Sequence, residues 1–273
     1  MTTPRLSDRC FSRIAGLMHN SIGLSFNLSK KPLVSARLAG RLQRLGLAGF
    51  DDYVALLESP DDGGEFQMAV DLLTTNETYF FREPAHFALL QGHLQRHRPQ
   101  QLSVWSAASS FGDEAYSCAM LLADLQAQRR IGPDWSILAT DISERVLQSA
   151  VQGIYPADRL REVTHPRLKR YCLRGEDDSA GLIQIRETLR QRVRFGQLNL
   201  CAPLDDIGGP FDVIFLRNVL LYFDAKTKSA VVDRVLTQLR PGGLFFLGTA
   251  EGRVPCNTRL TVLAPGAFRK EPE

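Results

Sequence analysis

The chain has 273 residues, 44% hydrophobic and 23% charged, a balance that fits folded protein with a sizeable core and excludes disorder. Its formal net charge of +3 is too small to argue for nucleic acid, and no apolar run approaches the roughly 18 residues needed to cross a bilayer. The start of the chain lacks the apolar core of a secretory signal. The five cysteines (Cys10, Cys118, Cys172, Cys201, Cys256) are scattered with no C-x-x-C pair, and both features predict reduced thiols in a cytoplasmic protein.

Helical spacing of Phe11, Ile14 and Met18 predicts a helix over 7–19, and a turn follows at 20–27. In the next helix, 31–45, Leu38, Leu42 and Leu45 form one stripe and Arg37, Arg41 and Arg44 the neighbouring one. Charge is concentrated here: eight Arg and Lys residues in the first fifty positions stand against one acid, Asp8. The arginine stripe is either a solvated face or a docking face for an acidic partner. Gly46 closes this helix, 50–57 and 66–73 read as two more, and the acidic turn 60–64 separates them. Residues 1–75 therefore read as an all-α domain. Residues 74–83, Thr-Thr-Asn-Glu-Thr-Tyr-Phe-Phe-Arg-Glu, then pack polar side chains against three aromatics, an unusual composition for a plain linker. The helix from Pro84 carries His93 and His97 four residues apart. Without a third ligand they read as a surface pair, and no metal is expected.

Residues 104–120 read as a buried strand, a tight turn through Gly112 and a helix that starts behind Asp113 and Glu114 and runs to about 130. Strand 135–140 ends in Asp141, where nucleotide-binding α/β folds hold ribose hydroxyls; Asp141 could equally start the helix 143–151. A region of short strands at 171–173, 181–186 and 190–195 breaks the strand-helix rhythm and reads as a small antiparallel insertion spanning about 158–194. Its free edge either needs protection or offers a site for an added peptide strand. The main sheet resumes at 194–200. The apolar strand 211–216 ends at Arg217 and Asn218, a helix follows from Asp224, and 244–247 is the next central strand. Residues 248–251 and 260–263 are expected to supply the last, antiparallel strands.

Strand ends thus bring Glu114, Asp141, Asn199, Arg217 and Asn218 to one sheet edge, with Asn76, Thr78 and Arg82 just before the first strand. There is no G-x-G-x-x-G, no phosphate loop and no Ser-His-Asp order, so the pattern points to a nucleoside ligand without phosphates; S-adenosylmethionine is one.

These segments resemble the chemotaxis receptor glutamate methyltransferases over nearly the whole chain. The likeness rests on Ile22-Gly23-Leu24, the Arg37-Leu38…Arg41-Leu42…Leu45-Gly46 pattern, residues 75–83, Trp105-Ser106-Ala107, Ala139-Thr140-Asp141, residues 211–224 and the Pro241-Gly242-Gly243 turn. The resemblance implies an α/β protein: an N-terminal helical receptor-docking domain (1–75), then a Rossmann-like S-adenosylmethionine-dependent methyltransferase domain (76–273) carrying the inserted β-subdomain. It implies cofactor contacts at Asn76, Thr78, Arg82, Glu114, Asp141, Asn199, Leu200, Arg217 and Asn218, with Arg82 next to the transferred methyl and Tyr222 in the site. The implied substrates are glutamates on cytoplasmic domains of chemoreceptors, docked through Arg37, Arg41 and Arg44. In some members of that family a C-terminal receptor peptide binds the β-subdomain. The chain departs from the family pattern at Ser110-Phe111-Gly112-Asp113-Glu114-Ala115-Tyr116, where Ser-Thr-Gly-Glu-Glu-Pro-Tyr is usual, and at Gly248-Thr249-Ala250-Glu251, where Gly-His-Ser-Glu is usual. These departures leave open a protein that binds the cofactor and docks on receptors without transferring methyl. A methyltransferase of small molecules or nucleic acid is disfavoured, because the chain lacks an Asn/Asp-Pro-Pro-aromatic motif and the basic N-terminal helix would then have no role.

Overall fold

A computed structural model describes residues 5–204, 206–252 and 255–272; residues 1–4, on which part of the signal reading rests, lie outside them. Four helices come first: α1 (Asp8–Ile22), α2 (Lys31–Leu45), α3 (Phe50–Leu57) and α4 (Glu65–Leu73). The Ser7 hydroxyl caps α1 by accepting from the Cys10 N–H. Apolar positions spaced three and four apart, among them Ile14, Met18, Val34, Leu38 and Leu42, converge with Phe50 and Tyr53 on one core. Gly23, which ends α1 in the left-handed region at φ +74, is where this bundle meets the rest of the chain. A Cβ there would lie 2.6 Å from Cys201 Sγ and 2.8 Å from Thr227 Cγ2, so a side chain would push the two parts of the molecule apart.

The chain continues through α5 (Pro84–His97), β1 (Gln101–Ser106), α6 (Asp113–Ala127), β2 (Asp134–Asp141), α7 (Glu144–Gln152), β3 (Ile154–Pro156), α8 (His165–Tyr171), β4 (Cys172–Arg174) and β5 (Leu182–Ile185). It closes with α9 (Glu187–Arg190), β6 (Val193–Gln197), β7 (Phe211–Leu216), α10 (Ala225–Thr237), β8 (Leu239–Leu247), β9 (Leu260–Ala264) and β10 (Ala267–Lys270). Seven strands form one sheet in the order β6-β2-β1-β7-β8-β10-β9; the first five are parallel neighbours, and β10 runs antiparallel to both β8 and β9. Alternate residues of each strand face opposite cores. Val104, Phe215 and Phe246 pack on α5 and α6, whereas Trp105, Ile214 and Phe245 pack on α10. After β6 the chain crosses back to place β7 beside β1, so the strand order reverses between β1 and β7 and opens a crevice at their carboxyl ends.

Two expectations are corrected and one unforeseen strand is added. Residues 190–195 do not form a strand of the insertion: Val193–Gln197 pairs with β2 as an edge of the large sheet, and the small sheet is β3-β5-β4, recruiting Ile154–Pro156 instead. A five-residue apolar and basic run carries no mark of which sheet it joins; the parallel register with Ile137–Asp141 decides it. Residues 248–251 are a single 3₁₀ turn, because the Glu251 side chain captures the backbone N–H of Gly248 that a ladder would need. The strand 267–270, not anticipated, pairs with both β8 and β9. Among the described residues no helix is long and apolar enough to cross a membrane.

Candidate active site

The crevice holds a cleft of about 920 Å³, counting its open mouth, and every residue expected to contact cofactor lines it: Asn76, Thr78, Arg82, Glu114, Asp141, Asn199, Leu200, Arg217 and Asn218, together with Tyr222. Each is set by an identifiable local device. The turn after β1 leaves the sheet when the Ala107 N–H donates to Phe215 O, and Ser110 adopts the left-handed conformation at φ +50. The Asp141 carboxylate then ties that turn to the end of β2, accepting from Ser110 N at 2.8 Å through Oδ2 and from Ser143 N at 3.0 Å through Oδ1. The N-cap of α7 is Ser143 rather than Asp141, but Asp141 holds the Ser143 N–H while it faces the cleft. Burial raises its pKa, and the N–H donors of Ser143 and Ser110 oppose that rise.

Glu114 and Arg217 form a buried ion pair on the cleft lining. Arg217 Nε donates to Glu114 Oε2 at 2.6 Å, and the Ser106 hydroxyl donates to Oε1 at 2.6 Å. Arg217 Nη1 also donates to Arg82 O at 2.8 Å and lies 3.3 Å from His86 Nδ1, whose ring presents Nε2–H to the Pro265 carbonyl. Residues 76–83 are thus anchored from three sides. Phe80 and Phe81 are buried, Phe81 N donates to the Ser117 hydroxyl, and the Ser110 hydroxyl donates to Asn76 O. Arg82 itself is lightly held, one Nη1–H donating to Glu77 O at 2.9 Å.

The helical domain closes one side of the cleft. Ile22, Leu24, Thr74 and Thr75 line it, Asn199 Nδ2 donates to Ser21 O, and Ser25 N donates to Tyr222 O. Two of the three arginines expected at the docking face, Arg37 and Arg41, also bond within the helical domain and to the segment that follows it. Arg37 donates to Leu73 O, Thr74 O and the Thr75 hydroxyl, while Arg41 grips Glu65, which is 3% exposed and also accepts from the Tyr53 hydroxyl. Arg44 is exposed. The stripe alone cannot show this, because their partners lie 24 to 38 residues away in sequence. Phe111, the departure in the turn, is absent from the cleft lining. Its ring lies under the guanidinium of Arg159 at 4.6 Å, and its carbonyl accepts from the Tyr155 hydroxyl at 2.6 Å, so the extra bulk faces the small sheet. His93 and His97 stack at 4.0 Å, and among the described residues no group of three or more potential ligands could hold a metal.

A doubly wound sheet with an acid at the end of β2 lining its switch-point cleft, and residues 76–264 matching the family model "CheR methyltransferase, SAM binding domain", define an S-adenosylmethionine-dependent methyltransferase. Residues 10–74 match the model of the CheR methyltransferase all-alpha domain. The chain is 43% identical to the chemotaxis protein methyltransferase of Klebsiella aerogenes, covering 90% of this chain and 84% of that one, and 42% identical to that of Escherichia coli, covering 94% and 89%. It is 43% identical to chemotaxis protein methyltransferase 2 of Pseudomonas aeruginosa, covering 89% and 86%. The chain belongs to the CheR family of chemotaxis methyltransferases.

The residues fit that cofactor. Three carboxylates, Glu77, Glu114 and Asp141, line it against two guanidiniums, Arg82 and Arg217, an excess that suits a cationic sulfonium and opposes a polyphosphate. The Thr78 hydroxyl and the Asn218 side-chain amide have no hydrogen-bond partner among the described residues and remain for a ligand.

Proposed function

We propose that this protein transfers methyl groups to glutamate side chains on the cytoplasmic domains of chemoreceptors, giving glutamyl methyl esters. The observation that carries the reading is Arg82: in a cleft suited to a cationic cofactor, its guanidinium spends one of five N–H donors within the chain and keeps the rest for an anion. When bound, S-adenosylmethionine supplies an electrophilic methyl group on a sulfonium. A glutamate side chain, with an ordinary pKa near 4.3, is already ionised at neutral pH, so the site needs no general base. The tasks left to the chain are holding, aligning and drying. Asp141, Asn76, Thr78, Asn199, Leu200 and Asn218 hold the cofactor, the buried Glu114–Arg217 pair fixes the cleft floor, and Arg82 orients the substrate carboxylate beside Tyr222. Too tight a bidentate grip would quench the nucleophile, which casts Arg82 as a positioning group.

Labelled S-adenosylmethionine incubated with receptor cytoplasmic fragments tests the reading: base-labile label on receptor glutamates is expected, and cofactor binding without transfer would overturn it. In the same assay Arg82→Ala is expected to lower kcat by about 100-fold while changing cofactor affinity less than about threefold. Equal losses of both would remove the substrate role.

The family resemblance supplies two further parts of this proposal. Exposed Arg44, with the half-buried Arg37 and Arg41 beside it, meets the acidic glutamate-bearing surface of the receptor. Arg44→Glu is expected to slow methylation at limiting receptor by about three- to tenfold with cofactor affinity unchanged. Arg41→Glu, by contrast, would set two carboxylates together at Glu65 and lower the melting temperature. An unchanged rate for Arg44→Glu would exclude this face from docking. The second part is strand addition of a receptor C-terminal peptide at the small sheet. Its edge strand β4 and the exposed Leu173 and Leu182 suit that mode, and receptor fragments lacking the tail are then methylated more slowly.

A further inference from the structure

The 3₁₀ turn Thr249–Glu251 and Gly248 before it contribute nothing to the cleft lining, yet they are bonded to both loops that form it. Glu251 Oε2 accepts from Asn218 N at 2.8 Å and from Gly248 N at 2.7 Å, and Oε1 accepts from Leu220 N at 2.7 Å. Asn218 and Leu220 lie in the loop after β7 that carries Arg217 and Tyr222. Asn218 sits in the left-handed region at φ +60, a conformation that a non-glycine residue keeps only when its surroundings enforce it. On the other side of the turn, the Thr249 N–H and hydroxyl donate to Glu83 Oε1 at 3.2 and 3.3 Å, gripping the end of residues 76–83. Gly248 is required for the close fit: a Cβ there would lie 2.5 Å from Asn218 Nδ2 and 2.8 Å from Glu251 Oε2.

We propose that Glu251 is a positioning residue for methyl transfer, whose carboxylate sets the backbone of residues 218–220 and through it the placement of Asn218 and Tyr222 in the cleft. The inference rests on the glutamate methyl-transfer reading for its kinetic arm and on the cofactor site for its binding arm. Three N–H donors converge on one side chain, and only a carboxylate offers acceptors on both oxygens. A glutamine has one acceptor oxygen and would turn its NH₂ toward a backbone N–H, either at Leu220 or at the Asn218–Gly248 pair. Of the family pattern Gly-His-Ser-Glu this chain retains the Gly and the Glu, the two positions this geometry needs, while Thr249 and Ala250 stand on the side facing Glu83 and solvent.

The test compares wild type, Glu251→Gln and Glu251→Asp at a temperature below the unfolding transition of each, by kcat and KM on receptor fragments and by cofactor Kd. Glu251→Asp keeps the charge but shortens the reach. In Glu251→Gln, kcat is expected to fall by about tenfold or more, about 1.4 kcal/mol in the barrier, with cofactor Kd raised about threefold or more and receptor KM within about twofold. Glu251→Asp is expected to lose kcat in the same direction, and it stands in if the amide variant does not fold. A lowered melting temperature with kcat and Kd both within about twofold of wild type would show a structural role only and overturn the proposal. If wild type itself transfers no methyl to the fragments, the glutamate reading fails separately, and the Kd comparison alone decides whether Glu251 positions the loop.

Discussion

An Asp141→Ala variant is expected to bind S-adenosylmethionine about 100-fold more weakly than wild type, as measured by calorimetry. Two consequences of one side chain add here. In the proposed site the carboxylate would present its remaining lone pairs to ligand hydroxyls, and it holds the Ser110 and Ser143 N–H groups that shape the turn after β1 and the approach to α7. Asp141→Asn separates them: its single acceptor oxygen can keep one backbone bond, so affinity should fall less than in the alanine variant. The pH dependence follows from the raised pKa. Burial favours the protonated form, so on acidification the acceptor is lost at a higher pH than the usual Asp range near 3.9. Cofactor affinity is then expected to decline as pH drops toward that range, while the unliganded protein is not destabilised by this group, because its native form binds the proton more tightly than the unfolded chain. An alanine variant within about threefold of wild type would remove Asp141 from the cofactor site.

Arg217→Met is expected to cost about 3–5 kcal/mol of stability in urea denaturation. Arg217 and Glu114 are both nearly inaccessible, with Arg217 7% and Glu114 8% exposed, and removal of the guanidinium strands the carboxylate in the core beside Ser106. It also frees Arg82 O, which orients residues 76–83. The double variant Arg217→Met/Glu114→Leu should recover most of the stability, since two apolar side chains replace the pair, but not cofactor binding or methyl transfer. A double variant as unstable as the single one would mean that Arg217 acts through Glu83, Arg82 O and His86 rather than through Glu114.

Most of the site was legible in the sequence because a parallel sheet brings the carboxyl ends of its strands to one edge. Glu114, Asp141, Asn199 and Arg217 could be placed from strand ends alone, and all of them line the cleft. Side chains that act on other side chains left no local signal. Ser106 and Ser117 look like ordinary small residues in a strand and a helix, and Glu251 sat in a stretch read as a strand. His86, whose pKa burial lowers, looked like any histidine on a helix. The pattern Gly248…Glu251 could have flagged the turn, since a Gly followed three residues later by an acid is compatible with a carboxylate closing back on its own turn.

The residues alone disclosed the all-α start, the strand-helix alternation on either side of the crevice (84–151 and 211–247) and the lack of a phosphate-binding motif, because these depend on hydrophobic period and on residue type at strand ends. Tertiary structure alone decided the partners. Which groups Arg37 and Arg41 bond within the chain, whether 193–197 joins the small or the large sheet, and whether Phe111 fills the cleft or turns away under Arg159 all depend on contacts between residues far apart in the chain. A period read along the sequence carries the face of each element, but only packing fixes what that face meets.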